Sequence, residues 1–423
     1  MITDDTTARA ARTTADTIAD RLSTPEEAQR LPLVQGWMPQ SLAYGPVGVA
    51  LLHIERARTG HGPWDRAHAW LACAASSPVS GGLDSHLFHG APALAFALNL
   101  AAEGTRRYGR ALNVLDEHVN ASVRRRLDGA HARIDQRQLP ALAEFDGIRG
   151  LSGLAAVLMA RDHTDDVLIR QILSYLVRLT EPLTDGDEYL PGWWSDLAPS
   201  GKTDRSWPGG HGNNGVAHGI GGPLTVLSHA ALRGLLVEGH ADAIRRICNW
   251  LDQWRQDGPT GPWWPYVITR DHLQGRAAFD RGPLRPSWCY GTAGLARAQQ
   301  LAALALGDIS RQRMAENALL YAVTDPDQLA RVVDSSLCHG FAGLAHIVQS
   351  AAAAALSPGE LTAVVPELIG LALREDPVGS LLPASGTADI GFLEGATGVA
   401  LALYASLPGP QGSPSWNSSL LIT

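Results

Sequence analysis

The sequence contains few of the residues on which several protein classes depend. Four cysteines occur in 423 residues, and only one basic residue, Lys202, is a lysine. Four cysteines in a chain of this length exclude a disulfide framework. The formal net charge is -8 and the sequence pI is near 6.0, which argues against a nucleic-acid partner because phosphates need a basic surface.

Targeting and membrane signals are also lacking. The first residues, MITDDTTARAARTTADTIADRL, are polar and acidic, so they carry neither the basic region nor the apolar region of a signal peptide. No uninterrupted apolar run is long enough to span a bilayer. We therefore expect no intrinsic membrane segment and a cytoplasmic location, where thiols stay reduced and free to bind a metal.

The residues that are abundant favour close-packed helices. Hydrophobic residues make up 45% of the chain, glycine occurs 44 times, and aromatic residues account for only 6%. This composition is sufficient for a sizeable core and favours helices that pack closely through alanine and glycine. Period-two alternation, which indicates half-buried strands, is weak throughout.

One phrase recurs seven times along the chain: a small or polar residue, glycine, two residues, glycine or a small residue, and an aliphatic run. It reads HGIGGPLTVL from His218, YGTAGLARA from Tyr290 and HGFAGLAHI from His339. The leading glycines are Gly45, Gly90, Gly150, Gly219, Gly291, Gly340 and Gly395. Repeats of about 45 to 70 residues are long enough for two helices and their connections.

The repeat predicts an all-α fold of alternating inner and outer helices. Runs after the glycines, such as PLTVLSHAALRGLL, are apolar on most faces, whereas HADAIRRICNWLDQW carries a single apolar face. Seven such helical hairpins predict an α/α toroid, a double barrel with its glycine-rich loops at one end. We expect one domain over residues 1–423, with repeats from about 40 to 405 and short flexible tails outside them.

Two long segments between glycines, residues 184–213 and 257–286, are rich in glycine, proline and tryptophan. Such segments are typical of ordered functional loops rather than linkers. Their paired tryptophans either line a peptide channel or pack into the core, which is the more frequent fate of such pairs. These residues are Trp193, Trp194, Trp263 and Trp264.

Two adjacent repeats carry possible metal ligands at matched positions. Cys289 and Cys338 each stand two residues before a leading glycine, and His339 follows the second cysteine. Neighbouring loops are expected to bring the three side chains together. Two thiolates and an imidazole suit Zn²⁺, and three protein ligands leave a fourth position open, as in catalytic zinc sites. The alternative is that both cysteines are small core residues, which is our interpretation of Cys73 and Cys248.

Three further polar residues lie in or near the same loops. His218 precedes the fourth leading glycine, Asp146 lies four residues before Gly150, and Arg285 lies four residues before Cys289. Position alone leaves several roles open. The histidine can be a loop residue bonded to a carbonyl, the aspartate a helix cap or Asx turn, and the arginine a partner of any nearby carboxylate.

Taken together, these motifs resemble the lanthionine synthetase C family, the lanthipeptide cyclases. SWCYGTAG around Cys289 and CHGFAGLAHI around Cys338 and His339 resemble the two zinc motifs of that family. AHGIGGP around His218 and DGIRGLSG from Asp146 resemble its acid/base motifs, and GFLEGATGVALAL resembles its closing repeat. The resemblance extends from about residue 40 to residue 405. It implies a seven-fold α/α toroid with one Zn²⁺ per chain, bound by the two cysteines and His339.

The resemblance also implies a reaction and partners. Class I members of the family add peptide cysteine thiols to dehydroalanine or dehydrobutyrine, which gives lanthionine and methyllanthionine thioether rings. The substrate would be a dehydrated precursor peptide, and the expected partner is a dehydratase. Zinc would remove the thiol proton, and His218 would protonate the enolate, with Asp146 orienting it or assisting thiol deprotonation. Arg285 would bind the enolate oxygen or anchor the aspartate, and Tyr290 follows the first ligand, as it often does in the family.

Three other interpretations of the same residues remain. A zinc prenyltransferase of the β-subunit type needs a carboxylate ligand and a basic diphosphate pocket, which the Cys-Cys-His set and the single lysine disfavour. A family member that adds glutathione to dehydroamino acids would keep the same zinc ligands, although the lysine-poor composition favours a bacterial biosynthetic enzyme. A non-catalytic peptide-binding scaffold of a peptide-modifying complex would need none of these polar residues.

Overall fold

Helices separated by glycine-rich loops make up most of the protein. The computed structural model describes residues 5–102, 105, 107–161, 166–186, 188–279, 282–407 and 415–422. Within them the α-helices are α1 Asp5–Arg21, α2 Pro25–Ala28, α3 Pro46–Arg58, α4 Trp64–Ala74, α5 Ala91–Ala102, α6 Gly109–Asp135, α7 Leu142–Phe145, α8 Leu151–Met159, α9 Asp166–Leu179, α10 Gly221–Leu232, α11 His240–Trp254, α12 Arg270–Leu273, α13 Thr292–Leu306, α14 Ile309–Thr324, α15 Pro326–Leu329, α16 Phe341–Ala352, α17 Pro358–Arg374, α18 Pro377–Leu381 and α19 Ala396–Ser406. A 3₁₀ helix spans Ser415–Leu420. No helix in the described residues combines the length and the apolar character needed to cross a membrane.

Seven helices begin one or two residues after the leading glycines and are buried on nearly every face. They are α3, α5, α8, α10, α13, α16 and α19. Every residue of α10 from Gly221 to Ala230 is buried, as is every residue of α13 from Thr292 to Ala303. A helix with no polar face can only be stable inside the protein, so the inner helices predicted from the aliphatic runs are confirmed.

The long helices between them are amphipathic. In α11, Ile244, Ile247 and Leu251 are buried, while Arg245 and Arg246 are exposed on the opposite face. This is the helical spacing expected of a helix that covers a core on one side only. The predicted alternation of inner and outer helices is therefore present in the structure.

Contacts between Cα atoms divide the chain into two compact units. The first comprises Met1–Val119 and Val332–Ser418, and the second comprises Asn120–Arg331 and Ser419–Thr423. In the first unit, inner helices α3 and α16 pack against outer helices α4 and α17. In the second unit, α10 and α13 pack against α11 and α14. The single domain expected over residues 1–423 stays a prediction.

The seventh inner helix takes its outer partner from the start of the sequence. Helix α19 packs against α1, which buries Ala11, Ala15 and Ile18 at the i, i+4, i+7 spacing of one helix face. The structure thus differs from the flexible tail expected before residue 40. The reason is that this face consists mainly of alanine, whose small side chain gives little hydrophobic signal in a polar segment.

The segment after residue 405 also differs from a flexible tail where it is described. In the first unit Trp416 is 1% exposed and its ring stacks on that of His346, with centroids 4.6 Å apart. Of the residues expected in the two tails, 1–4, 408–414 and 423 lie outside the described residues. The segment is therefore held by aromatic packing, which its mixed polar sequence does not reveal.

Short strands occur in and beside the two long glycine- and proline-rich segments of the second unit. They form three two-stranded antiparallel sheets: β1 Leu183–Asp185 with β2 Glu188–Leu190, β3 His211–Asn213 with β6 Val267–Thr269, and β4 Gln256–Gly258 with β5 Gly261–Trp263. Within the two segments, residues 187, 280 and 281 lie outside the described residues. The β3–β6 pair leads directly into the loop that carries His218.

The paired tryptophans of these segments belong to the core. Trp193, Trp194, Trp263 and Trp264 are all buried. The indole N–H of Trp264 donates to the carbonyl oxygen of Leu251 over 2.9 Å. Trp194 also donates, to the carbonyl oxygen of Gly209 over 2.9 Å, whereas the indole nitrogen of Trp193 has no partner among the described residues. Burial of all four rings therefore indicates core packing rather than a peptide channel.

The second glycine position of the repeated phrase must be glycine in three repeats, because a backbone carbonyl group lies against it. A Cβ atom at this position would lie far inside van der Waals contact with the carbonyl oxygen six residues earlier. The distances are 2.2 Å from Gly294 to the Trp288 oxygen, 2.0 Å from Gly343 to the Leu337 oxygen and 1.8 Å from Gly398 to the Phe392 oxygen. In the first two cases the residue after that carbonyl is a cysteine, Cys289 or Cys338. The glycine thus allows each cysteine loop to fold onto the first turn of its inner helix.

We predict that Gly398→Ala lowers the free energy of unfolding by about 1–3 kcal/mol, because the new methyl group forces the Phe392 carbonyl away from α19. Thermal unfolding followed by circular dichroism measures the effect. Gly370→Ala is the matched control, since nothing lies within 4 Å of its Cβ position in α17, and it should stabilise the protein by about 0.5–1 kcal/mol. Equal melting temperatures for the two variants would contradict the close approach.

Candidate metal centre

The first candidate ligand, Cys289, lies in the loop that ends at the start of α13. It is 9% exposed, and the Ser287 hydroxyl oxygen lies 3.7 Å from its sulfur. The carbonyl oxygen of Cys289 accepts a hydrogen bond from the backbone N–H of Val216 over 3.1 Å. This bond joins the Cys289 loop to the loop that carries His218, two residues further along.

The second loop carries Cys338 and His339 and ends at the start of α16. The backbone N–H of Cys338 donates to the carbonyl oxygen of Leu393 over 2.8 Å. Nε2 of His339 lies 3.3 Å from Oδ2 of Asp334, which leaves Nδ1 as the ring nitrogen that faces away from the carboxylate. Hydrogen bonding of one ring nitrogen selects the tautomer and orientation of a metal-binding histidine.

Asp334 was not identified from the sequence. Burial by itself raises the pKa of this carboxyl group, but hydrogen bonds from His339 and Ser336 outweigh it and lower the pKa to about 2. An ionised carboxylate beside an imidazole increases the basicity of the imidazole as a metal ligand. The only sequence signal is an acidic residue five positions before the histidine, and this spacing matches neither the helical nor the strand repeat.

The donor atoms of Cys289, Cys338 and His339 all lie within 4.8 Å of one another. They form the one group of three or more cysteine, histidine or acidic side chains with this spacing in the described part of the chain. Zinc binds thiolate sulfur at about 2.3 Å and imidazole nitrogen at about 2.0–2.1 Å in tetrahedral geometry. The spacing and the soft donor set are compatible with one such ion and an open fourth position.

Asp146 and His218 form a hydrogen-bonded pair. Oδ2 of Asp146 lies 2.8 Å from Nδ1 of His218. The aspartate side chain is 2% exposed, whereas the histidine ring is 37% exposed. Because Nδ1 faces the carboxylate, Nε2 is the nitrogen available for proton transfer to a bound molecule.

The second oxygen of Asp146 has a structural role. Its Oδ1 accepts backbone N–H groups from Ile148, Arg149 and Gly150 at 3.1, 2.6 and 2.8 Å. These bonds shape the loop before α8 as an extended Asx turn. The turn interpretation and the pairing with His218 therefore hold at the same time, one on each carboxylate oxygen.

Tyr290 and Arg285 lie on the same loop as Cys289. The Tyr290 hydroxyl oxygen accepts a hydrogen bond from the amide of Asn213 over 3.0 Å. The carbonyl oxygen of Arg285 accepts the hydroxyl of Tyr266 over 2.9 Å. Burial raises the pKa of Tyr266, although the Arg285 guanidinium opposes this shift, so the arginine side chain lies close to that phenol.

Arg285 forms no bond with Asp146 among the described residues. Among the described residues no ion pair or hydrogen bond joins the guanidinium to this carboxylate, whose two oxygens are taken by His218 and by backbone N–H groups. Nε of Arg285 is buried and has no hydrogen-bond partner among the described residues. The anchoring role considered for Arg285 therefore has no support from these contacts and stays a prediction, and its Nε–H group remains available to another acceptor.

The two remaining cysteines lie apart from this group. Cys248 is buried on α11, and burial raises the pKa of its thiol to about 11, as expected for a core residue. Cys73 is only partly buried, and the amide of Gln29 lies 3.6 Å from its sulfur. The core interpretation of Cys73 is therefore wrong. Trp70 and Ala74 lie on the buried face of α4, and the Cys73 side chain lies at the edge of that face.

Comparisons with known proteins find a family that matches most of the chain. The family model described as "Lanthionine synthetase C-like protein" matches residues 36–420. The chain is 26% identical over 270 residues to "Nisin biosynthesis protein NisC" of Lactococcus lactis subsp. lactis. That match covers 63% of this chain and 62% of the relative, so it spans less than two thirds of the relative's length.

A solved structure shows the fold. The structure called "Nisin cyclase" is similar with a TM-score of 0.75 and 22% sequence identity, over 97% of this chain and 97% of that chain. At this level of sequence identity, the similarity is evidence for the fold alone. It confirms the predicted fold class, an all-α toroid.

We predict that Asp146→Ala and Asp146→Asn differ in stability. Alanine leaves three backbone N–H groups of a buried loop without their acceptor, at a cost of about 1–3 kcal/mol, whereas asparagine keeps an oxygen in the Oδ1 position. The melting temperature should therefore fall clearly for the alanine variant and little for the asparagine variant. Equal losses in calorimetry would show that the Oδ1 bonds do not stabilise the loop.

Proposed function

Because the chain belongs to the lanthionine synthetase C-like family, we propose that it is a zinc-dependent lanthipeptide cyclase. It adds cysteine thiols of a dehydrated precursor peptide to dehydroalanine or dehydrobutyrine and forms lanthionine and methyllanthionine rings. The observation that carries this proposal is the group of Cys289, Cys338 and His339, whose donor atoms lie within 4.8 Å of one another. Three soft ligands with an open fourth position are typical of catalytic zinc rather than structural zinc.

Cys289, Cys338 and His339 would bind the ion, with Asp334 orienting the imidazole. When bound, zinc supplies the positive charge that lowers the pKa of a substrate thiol, which is near 8.5 for free cysteine and therefore leaves the thiol mostly protonated at neutral pH. Two protein thiolates reduce the positive charge of the site. A substrate thiolate would therefore be held less tightly and would keep its nucleophilic character.

His218 is the proton donor in this proposal. The substrate thiolate attacks Cβ of the dehydroamino acid, a C–S bond forms, and the electron pair of the double bond moves towards the carbonyl as an enolate. The thiol proton is released to solvent when the thiolate forms. Nε2 of His218 delivers a proton to Cα and is reprotonated from solvent, so the product has the same mass as the substrate. Asp146 orients the ring, and both of its oxygens are already engaged, which disfavours a second role as thiol base.

Arg285 is the candidate for the enolate oxygen. Its Nε is buried with no hydrogen-bond partner among the described residues, and a cationic donor held in a water-poor site stabilises developing negative charge. Tyr290 is placed beside the first metal ligand and is fixed by Asn213. Its position suits packing against the bound peptide next to the reacting thiol.

The remaining parts of the proposal concern the cellular setting. The substrate is made by dehydration of serine and threonine residues, so a dehydratase is the expected partner in a bacterial cytoplasm. A family member that adds glutathione would use the same metal group. The two reactions differ in product, because glutathione addition increases the mass of the peptide and ring closure does not.

We predict about one zinc per chain in freshly purified, reduced protein. Cys289→Ala and Cys338→Ala should each lose most of it, because two remaining ligands rarely hold the ion. Elemental analysis by mass spectrometry measures the content. Cys248→Ala is the matched control, since its buried thiol lies on α11 outside the metal group, and it should keep the zinc.

Absence of zinc from the reduced wild-type protein would remove the support for catalysis and leave the non-catalytic, peptide-binding scaffold. Zinc that persists in both ligand variants would show that the metal lies elsewhere. Zinc lost only from those two variants supports the metal group. The cyclisation assay then decides between ring closure and glutathione addition.

We predict that His218→Ala slows ring closure by about 10²–10⁴-fold, because a positioned general acid contributes that much, while zinc content stays at the wild-type level. Ring closure leaves the peptide mass unchanged, so the assay counts the free thiols that N-ethylmaleimide still labels at each time point. His61→Ala, at an exposed histidine, is the control. Normal ring closure by the His218 variant would assign the proton transfer to another group.

A further inference from the structure

Residues 419–422 are buried in the second unit, although their sequence suggests a tail. Leu420, Leu421 and Ile422 are each no more than 2% exposed. The indole N–H of Trp288 donates to the carbonyl oxygen of Leu420 over 2.7 Å. Trp288 is the residue immediately before Cys289, so this bond holds the backbone that presents the first candidate ligand.

A buried cation holds the next part of the segment. Nε of Arg297, on α13, donates to the carbonyl oxygen of Ile422 over 3.0 Å, and its guanidinium also donates to the side chain of Gln300. Burial lowers the pKa of Arg297 to about 10, so the group remains charged at neutral pH. A charge in the protein interior needs such acceptors, and removal of residue 422 would leave one of its N–H groups unsatisfied.

The segment also packs against the loop of the acid–base pair. Leu421 has a φ of 59°, a left-handed conformation that is uncommon for a residue with a side chain. Its Cδ1 atom lies only 3.1 Å from the position that a Cβ on Gly147 would take. Gly147 follows Asp146, and its N–H donates to the carbonyl oxygen of Ala217, the residue before His218. Backbone strain of this kind persists where the surrounding packing imposes it.

We propose that residues 419–422 are a positioning element of the site, acting through Trp288 on Cys289 and through Gly147 on the Asp146–His218 pair. The segment contacts the residue next to each of these groups. It supplies neither a ligand nor a proton. The part of the inference that concerns the metal rests on the proposed function, and the part that concerns His218 does not.

The first test removes one hydrogen bond. Trp288→Phe keeps the ring and deletes the donor to Leu420. Loss of a net contribution of about 1 kcal/mol corresponds to a roughly fivefold loss of zinc affinity in competition with a chelator. The absorption spectrum of the cobalt(II)-loaded protein should shift, because the geometry at Cys289 changes.

Trp70→Phe is the matched control. Trp70 is equally buried, and its indole N–H donates to the carbonyl oxygen of Leu22 over 2.9 Å. It lies on α4, far along the sequence from the candidate ligands. Both variants should lose similar thermal stability, but only the Trp288 variant should change metal affinity and the cobalt spectrum. Unchanged affinity and spectrum in the Trp288 variant would overturn the inference.

The second test removes the segment and returns it. A chain without residues 415–423 should bind zinc at least about tenfold more weakly, and the synthetic peptide SWNSSLLIT should restore the affinity. The same peptide with aspartate at Leu420 and Leu421 should not restore it, because those side chains are buried. Wild-type affinity in the shortened chain would contradict the proposal. If the shortened chain does not fold, the Trp288 and Trp70 pair decides.

A third measurement does not depend on the metal. Leu421→Ala removes the contact with Gly147 and should shift the ring signals of His218 in NMR spectra of the zinc-free protein. An unchanged His218 spectrum would overturn this half of the inference. Failure of the proposed function is distinguishable, because it appears as wild-type protein that binds no zinc and closes no rings.

Discussion

The contact between a loop carbonyl and a helix turn that has no Cβ is the constraint on which the site depends. It lets each loop fold back onto the start of its inner helix, as the Trp288 carbonyl does at Gly294. The residue after that carbonyl is then held in a fixed direction. Where this residue is Cys289 or Cys338, the same backbone contact that packs the loop onto its helix also fixes the position of a thiol.

Each candidate histidine is oriented by a carboxylate from its own part of the structure. Asp146 uses one oxygen to shape its loop and the other to orient His218. Asp334 does the same for the ring of His339. Burying such carboxylates is costly unless hydrogen bonds satisfy them. The cost is offset here by backbone N–H groups, which donate to Asp146 and to Asp334.

The sequence predicts the elements and residues that belong to the repeat, and it does not predict those that lie outside it. Seven copies of one phrase were sufficient to predict the inner helices, and matched positions in two copies singled out Cys289 and Cys338, whose sulfurs the structure places close together. Asp334 and residues 419–422 belong to no periodic pattern, and they contribute through contacts that are distant in sequence or made by the backbone. Cys73 shows the opposite error, since an alanine-rich neighbourhood suggested burial that the helix face does not provide.

Helices α1 and α19 pack as an outer and inner pair although they are far apart in the sequence. The alanine face of α1 therefore has no partner while the intervening repeats are synthesised. At about 5–20 residues per second this delay is on the order of tens of seconds. During that time the first six repeats must remain soluble with an incomplete outer layer, which gives a polar, alanine-lined α1 an advantage over a strongly hydrophobic helix.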